Sequence, residues 1–140
     1  MRKERKNNKQ LIDNAYTYDK ANNVTNVTNS GTSANEFGGT MAHNYIYDGL
    51  YRLTKAYGDY NKGNNTKNAH YDLAMTYDNL HNITSKKQDI VQTGVKFDGL
   101  LKAGYDLTYA YANNPQQIST IADESYRTEE TATTDTISKT

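Results

Sequence analysis

Asp19, Asp48 and Asp78 each stand directly behind a tyrosine, at intervals of 29 and 30 residues. Carboxylates repeated at a regular interval are raw material for a calcium site or for acid–base catalysis. Each of the three, however, heads a short polar stretch, where an Asp side chain accepts backbone N–H groups and so fixes a turn. Turn formation accounts for all three alike. The stretch Asp59, Asn61, Gly63 has the opening of a calcium loop, but its Gly comes one place early and His70 fills the twelfth place, where a bidentate Glu is needed. His43, His70 and His81 are scattered along the chain, so only folding could gather them around a metal. There is no Gly-rich phosphate loop, nucleophile elbow or HExxH helix. Asn23, Asn26, Asn64 and Asn82 each begin an Asn-x-Thr triplet, which an Asn- and Thr-rich chain forms readily as turn chemistry. No catalytic, cofactor-binding or metal-binding residue is assigned, and the expectation is a protein that is not an enzyme.

What positions these residues is a repeat. Tyr16, Tyr18 and Asp19 are matched by Tyr45, Tyr47 and Asp48, by Tyr77 and Asp78, and by Tyr109 and Tyr111 with Ala112 in place of Asp. A short polar stretch follows each, then Asn or Arg, a branched aliphatic residue and a hydroxyl residue: Asn23, Val24, Thr25; Arg52, Leu53, Thr54; Asn82, Ile83, Thr84; and, one residue later, Gln117, Ile118, Ser119. The second tyrosine falls at 18, 47, 77 and 111, in steps of 29, 30 and 34 residues. Along the first arm every second residue is large: Met41, His43, Tyr45, Tyr47; then Tyr71, Leu73, Met75, Tyr77; then Tyr105, Leu107, Tyr109, Tyr111. Period two puts them on one face of a strand, while Asp72, Ala74 and Thr76 suit a wetter opposite face. Each unit therefore predicts a β-hairpin, with tips at Lys20–Asn23, Gly49–Arg52 and Asn79–Asn82. No stretch has a convincing helical period; Lys86–Val95 comes nearest and is short.

Composition agrees with a thin β-layer. Apolar residues make up 35% of the chain and mean hydropathy is −0.97, with two Phe and no Trp, too little for a thick aliphatic core. Thirteen Tyr compensate, because the ring covers apolar surface while the hydroxyl stays wet or finds a partner. Sixteen basic and sixteen acidic residues cancel, so nothing in the charge calls for nucleic acid. The basic cluster Arg2, Lys3, Arg5, Lys6 and Lys9 is followed by no apolar run, so neither a secretory signal nor a membrane span is read. With no cysteine, disulfides and Cys-based metal sites are excluded. Residues 1–11 read as a disordered basic leader, 12–122 as the repeat array and 123–140 as a disordered polar tail. Asn29–Gly39 and Gly58–Asn68 read as loops.

The pattern Tyr-x-Tyr-Asp, short turn, Asn/Arg-aliphatic-Thr resembles the YD repeat of bacterial Rhs proteins, which is also the repeat of the animal teneurins. It is carried by Tyr16, Tyr18, Asp19, Asn23, Val24 and Thr25; by Tyr45, Tyr47, Asp48, Arg52, Leu53 and Thr54; and by Tyr77, Asp78, Asn82, Ile83 and Thr84, with a weaker copy over Tyr109–Ser119. The family usually has Gly before the Asn/Arg, at a place of positive φ. Asn22, Tyr51 and His81 stand there instead, and the last two would carry roughly 1–2 kcal/mol of strain if that geometry is kept. The fourth copy, with Ala112 and Pro115, is expected at an edge or end.

The resemblance implies an all-β fold of consecutive antiparallel hairpins forming part of a curved sheet or shell. The implied role is structural: a wall that encloses or delivers a toxin or effector, secreted or at the cell surface, with no activity of its own. The segments that close such a shell, an autoproteolytic site and a variable toxin domain, are not found in these 140 residues. Expected partners are the flanking repeats of a shell or a second copy through open strand edges, and an enclosed effector domain. The alternative is a repeat module that binds carbohydrate or a cell surface, since Tyr rings stack on sugars and Asn amides match their hydroxyls.

Overall fold

The alternation of large and small residues becomes strand along nearly the whole chain. A computed structural model describes residues 3–6, 9–31, 38–62, 67–94, 99–130 and 134–139. They form β1 (Lys3–Lys6), β2 (Lys9–Tyr18), β3 (Val24–Asn29), β4 (Thr40–Tyr47), β5 (Leu53–Asn61), β6 (Asn68–Tyr77), β7 (Ile83–Thr93), β8 (Leu100–Tyr111), β9 (Ile118–Glu130) and β10 (Thr134–Lys139). The strands lie side by side in chain order in one sheet, every neighbouring pair antiparallel. No helix occurs among the described residues, and none is long and apolar enough to cross a membrane. The protein is all-β, built of consecutive hairpins. The four units are β2–β3, β4–β5, β6–β7 and β8–β9, and the first three tips fall where the repeat puts them.

The hydroxyl residue of the repeat has a structural role that spacing alone does not reveal. In every unit the register slips by one residue beside the second tyrosine: Tyr18 faces Val24 but Thr17 faces Asn26, and the same step leaves out Thr54, Thr84 and Ser119. These four are the extra residues of β-bulges, which increase local twist. Their hydroxyls bond across the hairpin. Thr25 meets the Thr17 hydroxyl at 3.1 Å, Thr54 donates to the Ile46 carbonyl at 3.1 Å, Thr84 meets Thr76 at 2.7 Å and Ser119 donates to the Ala110 carbonyl at 3.0 Å.

Register also sorts the two faces. The row His43, Gly58, Tyr71, Ile90, Ala103 runs across β4–β8. By alternation its face carries Tyr45, Tyr60, Leu73, Gln88, Tyr105 and Leu107. The opposite face carries the row Tyr57, Asp72, Asp89, Gly104, Tyr126 and, beside it, Lys55, Ala74, Lys87, Asp106. One face is thus aromatic and aliphatic, the other charged. Among the described residues no second layer covers either face. The accessible surface is 9768 Å², against about 7,300 Å² for a compact monomer of this mass. Among the described residues Ala56 is the only buried apolar side chain; the face tyrosines Tyr45, Tyr47, Tyr77, Tyr109 and Tyr111 are half-buried.

Several segments differ from the sequence expectation. The leader expected to be disordered contributes β1 and the start of β2, and the expected tail contributes the rest of β9 and β10. Their polar composition fits strands near a sheet edge. Gly58–Asn61 is not loop but the end of β5. A Cβ on Gly58 would stand 2.5 Å from the Ala42 carbonyl and 2.8 Å from the rings of His43 and Tyr71. Glycine is there because two side chains close over it, not because the chain turns. Residues 32–37 and 63–66, expected in loops, lie outside the described residues. Lys86–Thr93, the nearest approach to a helical period, belongs to β7.

Candidate functional site: the stacked hairpin tips

The motif residues converge on one end of the sheet, where the hairpin tips follow one another. Each tip is held by its aspartate. Asp19 Oδ1 accepts the N–H of Ala21 and of Asn23, at 2.8 and 2.9 Å; Asp48 Oδ1 does the same for Leu50 and Arg52, at 2.8 and 3.0 Å, and Asp78 Oδ1 for Leu80 and Asn82, at 2.8 and 2.9 Å. The other oxygen, Oδ2, takes the side chain that closes the turn: Asn23 at 2.9 Å, Arg52 Nε at 2.7 Å and Asn82 at 2.9 Å. These bonds favour the carboxylate, so all three aspartates are held below the usual 3.8. The leading cause is the side chain of Asn23 for Asp19, the Arg52 N–H for Asp48 and the side chain of Asn82 for Asp78.

The clamp bends the chain hard enough to put the residue before Asn/Arg in the left-handed region. φ is 65° at Asn22, 62° at Tyr51 and 68° at His81. Each of the first three tips therefore holds a non-glycine residue at positive φ. The fourth tip is one residue longer and turns through Asn114–Gln117, with Asn114 Oδ1 accepting the Gln116 N–H at 3.1 Å and the Asn114 carbonyl accepting the Gln117 N–H at 3.0 Å. Pro115 sits in this turn and not on an edge strand. The fourth hairpin is the last of the four, and β10 pairs with only the Ser125–Glu130 part of its outer strand.

A second set of bonds joins each unit to the one before. The Tyr47 hydroxyl donates to the Val24 carbonyl at 2.9 Å, Tyr77 to the Leu53 carbonyl at 2.7 Å and Tyr111 to the Ile83 carbonyl at 2.7 Å. The residues at the end of the turn reach the other way. Arg52 donates through Nη1 to the Asp78 carbonyl at 3.1 Å while lying 4.6 Å from the Tyr77 ring centre, and Asn82 donates to the Pro115 carbonyl at 2.8 Å. The first unit has no predecessor among the described residues; Tyr16 is 47% and Tyr18 58% exposed.

The three histidines do not meet. His43 Nδ1 is bonded to the Tyr71 hydroxyl at 3.0 Å on the aromatic face, and His81 Nδ1 approaches Arg52 Nη1 at 3.4 Å at a tip. His70 lies on the charged face between two carboxylates, Asp59 at 2.7 Å from Nδ1 and Asp72 at 2.8 Å from Nε2. Its pKa is raised above 6.5, first by Asp59 and then by Asp72. The sequence held no signal for this bracket, because His70 and Asp59 lie on different strands. The Asp19, Asp48 and Asp78 carboxylates are each spent within their own turn, and no group of His, Cys, Asp or Glu suited to a metal ion is present among the described residues. A shallow depression of about 170 Å³ on the aromatic face is lined by His43, Tyr60, Tyr71, Gln88 and Ile90. No protein-family model matches the chain, and neither does any curated protein or solved structure.

Proposed function

We propose that this chain is a structural wall element of the Rhs/YD-repeat kind, a segment of β-shell that encloses or delivers an effector and performs no chemistry itself. The observation that carries the reading is that the motif residues are consumed in holding hairpins together. The aspartates close the turns, and Tyr47, Tyr77 and Tyr111 tie each unit to its predecessor. Tyr60, Tyr71 and Tyr105 on the aromatic face also spend their hydroxyls internally, on the Gly38 carbonyl, His43 and Gln88. Bonded hydroxyls hold these rings in fixed positions, which suits a wall.

Two experiments test the two halves of this reading. A glycan array probed with the 140-residue chain should show no saturable binding, and saturable binding lost on replacing a face tyrosine would replace the wall by a lectin-like module. The reading frames adjoining this one should continue the Tyr-x-Tyr-Asp pattern or encode an effector. Neighbours with neither would remove the delivery role.

A further inference from the structure

The bonds between units leave one half of a contact unused at each end of the array. Tyr18 holds the place of Tyr47, Tyr77 and Tyr111, but its hydroxyl has no partner among the described residues and the side chain is 58% exposed. Ile118 holds the place of Val24, Leu53 and Ile83, whose carbonyls receive those hydroxyls, and no side chain among the described residues reaches its carbonyl. The edges beside them are half open. β1 runs along Lys9–Asp13 of β2 and β10 along Ser125–Glu130 of β9, so Asn14–Tyr18 and Ile118–Glu124 have a strand on one side only. Those two stretches carry Tyr16, Tyr18, Ile118 and Ile121, four of the exposed large apolar side chains.

We infer that β9 of one copy takes up β2 of a second copy, head to tail, as though the second copy were the next repeat unit. This goes beyond the wall reading and rests on it only in treating the hairpins as equivalent units. The register follows from the three junctions already present. The residue after each bulge faces the residue three before the tying tyrosine: Asn26 faces Asn44, Lys55 faces Ala74 and Ser85 faces Thr108. The same rule sets Thr120, after the Ser119 bulge, opposite Ala15 of the second copy, and brings the Tyr18 hydroxyl to the Ile118 carbonyl. Beyond Ala15 the incoming strand meets its own β1, which must detach along with β10 of the receiving copy. The two short outer strands therefore guard the edges, and docking exchanges them for a full-length strand. The contact joins unlike surfaces, so it builds chains or rings of copies and not two-fold pairs.

The chain has no cysteine, which makes the arrangement directly readable. Single variants Ala15→Cys and Thr120→Cys, both at exposed positions, are oxidised separately and mixed. Directly opposite residues on paired strands lie within disulfide reach, so the mixture should form the 15–120 crosslink while neither variant alone forms a dimer. Adding Tyr18→Phe should weaken the mixed crosslink about fivefold, the worth of one hydrogen bond. Crosslinks within a single variant, showing two like edges meeting, would overturn the head-to-tail contact. So would a mixture that stays monomeric at high concentration, which leaves the wall reading untouched.

Discussion

Replacing Tyr77 by Phe isolates the bond that joins one hairpin to the next. The ring stays, with its contact with Arg52; the 2.7 Å bond to the Leu53 carbonyl is lost, together with the long 3.9 Å approach of the hydroxyl to Met75 Sδ. A net hydrogen bond between neutral partners contributes about 1 kcal/mol, and the carbonyl left behind in a half-covered setting raises the cost to about 1–1.5 kcal/mol. Removing the ring as well, by Tyr77→Ala, forfeits about half of the 3–5 kcal/mol typical of a fully buried aromatic. It also removes the cation–π contact at 4.6 Å, worth about 0.5–1 kcal/mol. The total is about 3–5 kcal/mol, comparable to the loss of a fully buried aromatic. Urea unfolding followed by circular dichroism reads both. With a slope of about 2 kcal/mol/M, Tyr77→Phe should lower the midpoint by about 0.6 M. Tyr18→Phe is the internal control, since its hydroxyl ties nothing in the monomer, and it should shift the midpoint by less than about 0.2 M. Equal shifts for Tyr18→Phe and Tyr77→Phe would refute the inter-unit tie.

Gly58→Ala should cost about 1–3 kcal/mol because backbone and two rings occupy the space of a Cβ, whereas Gly49→Ala, with nothing within 4 Å, should be within about 0.5 kcal/mol of wild type; thermal melts of the pair compare them. Tyr51→Gly should be neutral or stabilising by up to about 1 kcal/mol, since Tyr51 is 64% exposed with φ at 62°, and a midpoint lowered by this change would mean that the side chain holds the tip. The three clamp aspartates have folded pKa values below 3.8, so their stabilisation is complete above that value and is lost as pH falls through the folded values. Tip amides such as those of Leu50 and Leu80 should lose hydrogen-exchange protection in acid, and Asp48→Asn should remove that pH dependence at its own tip. For His70, raised above 6.5, the sign is opposite: the bracket stabilises fully below 6.5 and is lost as pH rises through the folded value. An NMR titration should show the midpoint of His70 fall in Asp59→Asn.

The parts of this fold legible in the sequence are those whose causes lie a few residues apart. Asp48 clamps Leu50 and Arg52, so the hairpin tip is written within five residues, and the repeat marks Asn22, Tyr51 and His81 as the strained places. What lay hidden depends on partners far along the chain. Tyr77 bonds a carbonyl 24 residues away and Tyr111 one 28 residues away, and no local pattern names those acceptors. Gly58 misled for a related reason. A glycine among Asp and Asn reads as loop, but its cause is the pair of rings from β4 and β6 above it. The stretch Asp123–Glu130 is polar enough to read as disorder, yet it completes β9, because its strand pairing to β8 is set by residues far along the chain.

The tie explains why this chain is rich in tyrosine and nearly without phenylalanine. A one-layer sheet has no second sheet to pack against, so its side chains must cover the strand beneath them and also hold neighbouring hairpins in register. Phe can cover but cannot bond; Asn can bond but covers little. Tyr does both, reaching from its own strand to the backbone of the preceding unit. Stability then accumulates junction by junction, as in other repeat arrays, and no central core is needed. Tyr47, Tyr77 and Tyr111 each close a junction on the Val24, Leu53 and Ile83 carbonyls. Tyr18 and Ile118 lack their counterparts, so the two terminal units are each missing one neighbour's contribution. The same residues that stiffen the middle of the sheet therefore leave its ends receptive to another unit of the same kind.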